Sequence, residues 1–179
     1  MLVYAADQGA GEKHHQARAW LEHLSGAPSG RLSYQVLQEY YVTVTRKLPQ
    51  PMDPDEARAD VRRLMDWDPV VIDGGVLDGA WDVQDRFGFS FWDALIVAAA
   101  RSARCRHLLT EDLQDGQDLD GLLVVDPFVH GPPAVGGPSR RASPRPSGSR
   151  PSRYTDRSSW KRAGRPRSSM VSPPFHLSA

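Results

Sequence analysis

The chain has 179 residues, enough for one domain with a buried core and too few for a comfortable two. Its 40% hydrophobic content excludes wholesale disorder, no apolar run reaches the ~18 residues of a membrane span, and a single cysteine, Cys105, excludes an intramolecular disulfide or a thiolate cluster. The formal net charge of zero hides two unlike halves: residues 1–129 carry 12 Lys and Arg against 21 Asp and Glu, and residues 130–179 carry 10 against 1, which predicts a folded acidic domain over 1–129 and a basic tail over 130–179.

In chain order, Leu2-Val3-Tyr4 reads as the end of a strand. Ala17, Trp20, Leu21 and Leu24 share one face of a helix over 12–24. Arg31-Leu32 is a short strand. Ser33 caps a helix running to about Leu48, and Pro49 and Pro51 break the chain after it. Asp53-Pro54 opens a helix to about Met65, with proline in the first helical position. Val70-Val71-Ile72 reads as a compact buried strand. Residues 75–87 form a helix that Gly88 ends, and Phe91 to Ala103 form a buried helix rich in Ala, Leu, Ile and Val. His107 to Thr110 and Leu122 to Val125 are strands. Strands alternating with helices predict a three-layer α/β/α arrangement around a central parallel sheet of four to five strands. The tail from residue 130 is rich in Pro, Ser and Arg without apolar periodicity, so it is expected to be disordered. It reads either as an extension without function or as a basic arm for a polyanion. The N-terminus lacks the basic start, apolar run and cleavage site of an export signal, which points to the cytoplasm and away from a membrane.

Three carboxylates draw attention. Glu39 sits among Val36, Leu37, Tyr40 and Val44. Asp93 lies in the first turn of the most apolar helix. Asp112 follows directly on a strand, at the end where parallel α/β sheets place ligands. Each also has a plain structural role open to it. Asp93 can favour the positive end of its helix, Glu39 can pair with an arginine, and Asp112 can cap a turn. As a set they suit a divalent cation, because clustered carboxylates repel and a cation relieves the repulsion. Oxygen donors without His or Cys favour Mg²⁺ or Mn²⁺ over Zn²⁺. His14-His15 reads as a solvated pair. Trp20, Trp67, Trp81 and Trp92 read as core or interface residues rather than base-stacking platforms, and Cys105 as a small core residue.

The order of an apolar-Tyr-Ala stub, Gln38-Glu39-Tyr40, Trp92-Asp93-Ala94-Leu95-Ile96, Leu108-Leu109-Thr110-Glu111-Asp112-Leu113 and a closing Val-Val-Asp-Pro-Phe resembles the PIN-domain ribonucleases, specifically the VapC-like toxins of toxin–antitoxin pairs. The resemblance covers residues 1 to about 128. It implies a Mg²⁺- or Mn²⁺-dependent endoribonuclease in which Glu39, Asp93 and Asp112 are metal-site carboxylates, Thr110 lies in the same site, and Asp115 is a weaker fourth ligand. Glu111 is expected to face solvent. Arg46, Lys47 and the tail are the cations expected to attract RNA. The implied partners are RNA, a cognate antitoxin and a second copy of the chain. This sequence departs from the pattern at its start. The family's first strand ends in an aspartate that aligns a few residues before Met1, so the first strand is mostly missing and an upstream translation start is implied. Without that aspartate, the alternative is a catalytically impaired PIN-like module that only binds an antitoxin or itself.

Overall fold

Side-chain patterning sets the helices. The computed structural model describes residues 1–25 and 30–133, and the backbone of 175–177. The expected disordered tail lies, but for residues 130–133 and that short segment, outside the described residues. The helices are α1 (Leu2–Ala6), α2 (Glu12–Ser25), α3 (Tyr34–Arg46), α4 (Pro54–Met65), α5 (Gly74–Phe87) and α6 (Phe91–Ser102). The strands are β1 (Gly30–Arg31), β2 (His107–Leu109), β3 (Asp118–Leu119), β4 (Leu122–Val125) and β5 (Phe175–Leu177). Caps fall where the sequence puts them. The Ser33 hydroxyl accepts from Val36 N–H at 3.4 Å. Asp53 accepts from Asp55 N–H at 2.8 Å with Pro54 in the first position. Gly88 ends α5 at φ 71°, a left-handed turn that glycine adopts without steric cost.

Three expected elements differ. Residues 2–4 form helix, not strand: Ala5 N–H donates to Met1 O at 3.3 Å and Asp7 N–H to Val3 O at 2.9 Å. Helical spacing turns Met1, Leu2 and Ala5 into one core together with α2 and α3, a burial that an alternating strand would halve. Val70 to Ile72 is not a strand. Val70 makes a single parallel bridge to Ser33, and Val71 is 63% exposed. The sheet is mixed rather than all parallel: β4 pairs parallel with β2, while β3 folds back antiparallel on β4. The order is β1-β5-β2-β4-β3, and β5 runs parallel to both β1 and β2.

The core divides at β2. Leu108 packs into a cluster with Val76, Ala80, Val83 and the alanine-rich face of α6. Its neighbour Leu109 enters a second cluster with Leu2, Trp20, Leu24 and Val36. Successive residues of a strand point to opposite faces, so this one strand serves both helical layers. Burying each leucine contributes about 1.5–3 kcal/mol. Trp20 bolts the domain's end to the second cluster, its indole N–H shared between Pro127 O at 3.2 Å and His130 O at 2.9 Å.

Cys105 is buried at the edge of the α6 cluster, and burial pushes its thiol up to about 12. Because the thiolate is the reactive form, iodoacetamide at pH 8 should leave the native chain unlabelled and modify it fully in denaturant. Rapid native labelling, read by mass spectrometry, would contradict this packing.

Candidate functional site

Each expected carboxylate is anchored by a neighbour. Glu39 is half-buried on α3, where Gln35, one turn earlier, donates from its amide to Glu39 Oε1 at 2.9 Å. Residues four apart share a helix face, which makes that bond local. The same Gln35 nitrogen lies 3.4 Å from the carbonyl oxygen of Trp92. Gln35 therefore ties the helix bearing Glu39 to the first turn of α6, where Asp93 follows. Gln35 is only 4% exposed, and among the described residues its Oε1 has no hydrogen-bond partner.

Asp93 is held by a reciprocal cap. The Ser90 hydroxyl donates to Asp93 Oδ2 at 2.6 Å, and Asp93 N–H donates back to Ser90 Oγ at 3.2 Å. Asp112 is set by the end of β2. Buried Thr110 continues the strand by donating its N–H to Val125 O at 3.1 Å, while its hydroxyl accepts from Asp112 N–H at 3.1 Å and meets Asp112 Oδ2 at 3.4 Å. The amine of Met1 is close by. Burial pushes it down to about 6, with Glu111 and Asp112 pulling the other way.

Several residues have surroundings that the sequence does not show. Glu111 does not face solvent freely; it forms a salt bridge with Lys13, and that partner raises the Lys13 pKa. Lys13 also lies over the rings of Tyr4 and Phe128, 4.7 and 4.8 Å from their centroids. Asp115 is engaged elsewhere: it accepts from Asp126 N–H at 2.9 Å and contacts His130 Nε2 at 2.8 Å. Of the tryptophans, Trp20 is core, but Trp81 and Trp92 are 52% and 62% exposed. His14 is not merely solvated either; its Nδ1 sits 3.0 Å from Tyr4 O.

Gln35 thus links Glu39 to the turn before Asp93. Asp112 keeps separate company with Thr110 and the chain's first residue. The oxygen-only donors have the chemistry of a site for a hard divalent cation. Among the described residues, however, no three His, Cys, Asp or Glu side chains gather around one point. A cavity of about 920 Å³ lies between α2 and α4, lined by Leu21, Leu64, Trp67, Arg18 and Arg63 among others, and holds none of the three acids. A smaller one, about 350 Å³, is lined by Glu39, Gln35, Gln38, Lys47 and Trp92.

The PIN domain family model matches residues 1–114. The chain belongs to the PIN domain family. PIN domains are generally metal-dependent nuclease modules that bind RNA, typically with Mg²⁺. The matched PIN region takes in Glu39, Asp93 and Asp112 and stops before Asp115. None of the curated proteins matches the chain. Among the described residues no helix of this PIN domain is long and apolar enough to cross a membrane. Gln35, which hydrogen-bonds Glu39, is not singled out by the sequence motifs. The available signal was its position four residues before Glu39 on an otherwise apolar face.

The backbone N–H of Asp126 and then His130 hold the Asp115 carboxyl below its usual 3.8. A lowered folded-state value stabilises the fold above the unfolded pKa, and that contribution disappears as pH falls through the folded one. In melting experiments at pH 7 and pH 3, Asp115→Asn should therefore lose less stability on acidification than the parent chain. An equal loss would show that this carboxylate does not clamp the domain's end.

Proposed function

We propose that this PIN domain is an endoribonuclease and the toxin of a toxin–antitoxin pair, working in the cytoplasm. Glu39, Asp93 and Asp112 are its metal-site carboxylates and Thr110 stands beside Asp112. The observation that supports it most is the Gln35 link, which couples the helix of Glu39 to the turn that carries Asp93. Bound Mg²⁺ or Mn²⁺ would supply a water of lowered pKa and offset charge on the phosphate. The chain's own groups would do the rest. Gln35 fixes the rotamer of Glu39, Ser90 that of Asp93, and the Thr110 hydroxyl that of Asp112, so the carboxylates meet the ion without first searching for orientation. Asp115 is the least favoured ligand, since His130 and Asp126 already hold it. Arg46 and Lys47 are the local cations for RNA. The groove between α2 and α4 is the place for an antitoxin segment, with Arg18 and Arg63 facing its acidic groups, and a homodimer is the expected assembly.

A second reading has one observation in its favour. The three carboxylates do not converge among the described residues, as expected of an impaired module that binds an antitoxin or itself without cutting.

Purified chain incubated with total RNA and MgCl₂ should produce discrete cleavage products, and EDTA or Asp93→Asn should reduce them to background. Cleavage undiminished in Asp93→Asn with EDTA present would sink the metal-carboxylate mechanism. Absence of cleavage together with a dimer in light scattering would favour the binding module. Expression of the parent, but not of Asp93→Asn, should slow growth if the toxin role holds.

A further inference from the structure

The 350 Å³ cavity beside Glu39 has a composition that the metal chemistry does not use. Its volume falls within the ~300–1,000 Å³ of small-molecule sites, enough for one nucleotide. One wall is Trp92, the most exposed tryptophan described, at 62%. Phe91 meets it edge-on, with ring centroids 5.4 Å apart and planes at 69°, which steadies the indole while most of its surface stays open. Leaving so large an apolar surface in water is unfavourable by area alone, and a satisfied α6 start needs nothing from it, since Ser90 and Asp93 already cap that helix. Lys47, just beyond the end of α3, brings a positive charge to the cavity, and Gln38 brings both a donor and an acceptor. Gln35 also lines it, and among the described residues its buried Oε1 lacks a donor.

Charge explains why such a surface is useful. Residues 1–129 carry a net charge of −9, so the field of the domain repels a polyanion. Stacking does not depend on net charge. A base on an aromatic platform contributes about 1–3 kcal/mol whatever its sequence. We propose that Trp92, Gln38 and Lys47 form a nucleotide subsite next to Glu39, in which one RNA base stacks on the Trp92 indole and its phosphate meets the Lys47 ammonium. The subsite rests on the ribonuclease reading above and adds to it the contact that holds the strand beside the carboxylates.

The test is direct binding of a fluorescein-labelled single-stranded RNA of about ten nucleotides to the full chain in EDTA, followed by anisotropy across a salt series. Trp92→Ala should weaken binding by about 5- to 140-fold. Trp92→Phe should restore most of it, and Trp81→Ala, an equally open tryptophan on α5, should bind like the parent. Lys47→Ala should lower the salt slope by about one. The loss in Trp92→Ala should persist at high salt, where the contribution of the basic tail is screened. Equal affinity for the parent and Trp92→Ala overturns the subsite. If the parent still cleaves RNA with an unchanged KM in Trp92→Ala, only the subsite falls and the nuclease reading stands. If the parent binds no RNA at any salt concentration, both fall.

Discussion

The short strand β2 is the constraint on which the rest of the structure depends. It is three residues long, yet Leu108 and Leu109 lie in different cores. The α5–α6 pair is anchored through one side chain, and α1, α2 and α3 through the next. A shift of one residue in its register would exchange the two faces and expose both leucines to the wrong layer. The parallel ladder with β4 fixes that register, pairing Leu108 with Val124 and Leu109 with Val125. Thr110 extends the ladder by one more bond to Val125. Asp112 is consequently delivered to a defined point at the strand's carboxyl end, and its position is a product of core packing as much as of local turn chemistry.

The three candidate carboxylates each sit beside a neutral donor. An amide from Gln35 serves Glu39, a hydroxyl from Ser90 serves Asp93, and a hydroxyl from Thr110 approaches Asp112. A neutral donor stabilises the charged carboxylate without cancelling its charge, so the acid stays available to a cation. Several acids outside this set carry a cationic partner instead. Glu111 is neutralised by Lys13, Asp60 by Arg63, and Asp120 by both Arg86 and Arg101. Burial does not mark the set, since Asp112 is exposed and Glu39 is not.

Much of this was legible in the sequence where a local rule decides it. Ser33, Asp53 and Gly88 carry their own capping chemistry, so the helix limits they set fell within a residue or two. The order of Glu39, Asp93 and Asp112 pointed to the PIN family, to which the chain belongs. What stayed hidden was set by tertiary partners. Leu2-Val3-Tyr4 has strand-like residues, but helical spacing buries Met1, Leu2 and Ala5 together. Val71 looked like a core strand because hydrophobicity does not reveal that only Val70 bridges to a neighbouring segment, at Ser33. Glu111 looked solvent-facing because Lys13, its partner, is 98 positions away. Trp92 read as core or interface because its helix is apolar, and in the fold it lies on the outer side of the first turn, 62% exposed.

On the proposed reading, an acidic domain acting on an anionic substrate has to separate attraction from chemistry, because its candidate metal-site carboxylates add negative charge where the phosphate would approach. Short-range forces do not conflict with them. Stacking, hydrogen bonds from amides and a single nearby ammonium act within a few ångströms and fade beyond the screening length of ~8–10 Å at physiological salt. The arrangement at the junction of α3 and α6 follows that division. Glu39 faces the cavity together with Lys47 and an open indole, and the buried amide of Gln35 holds the carboxylate and the indole-bearing turn in one frame. Any movement of α6 relative to α3 would disturb Glu39, Asp93 and Trp92 together, so on the proposed reading one side chain, Gln35, controls both the stacking surface and the geometry of two of the acids.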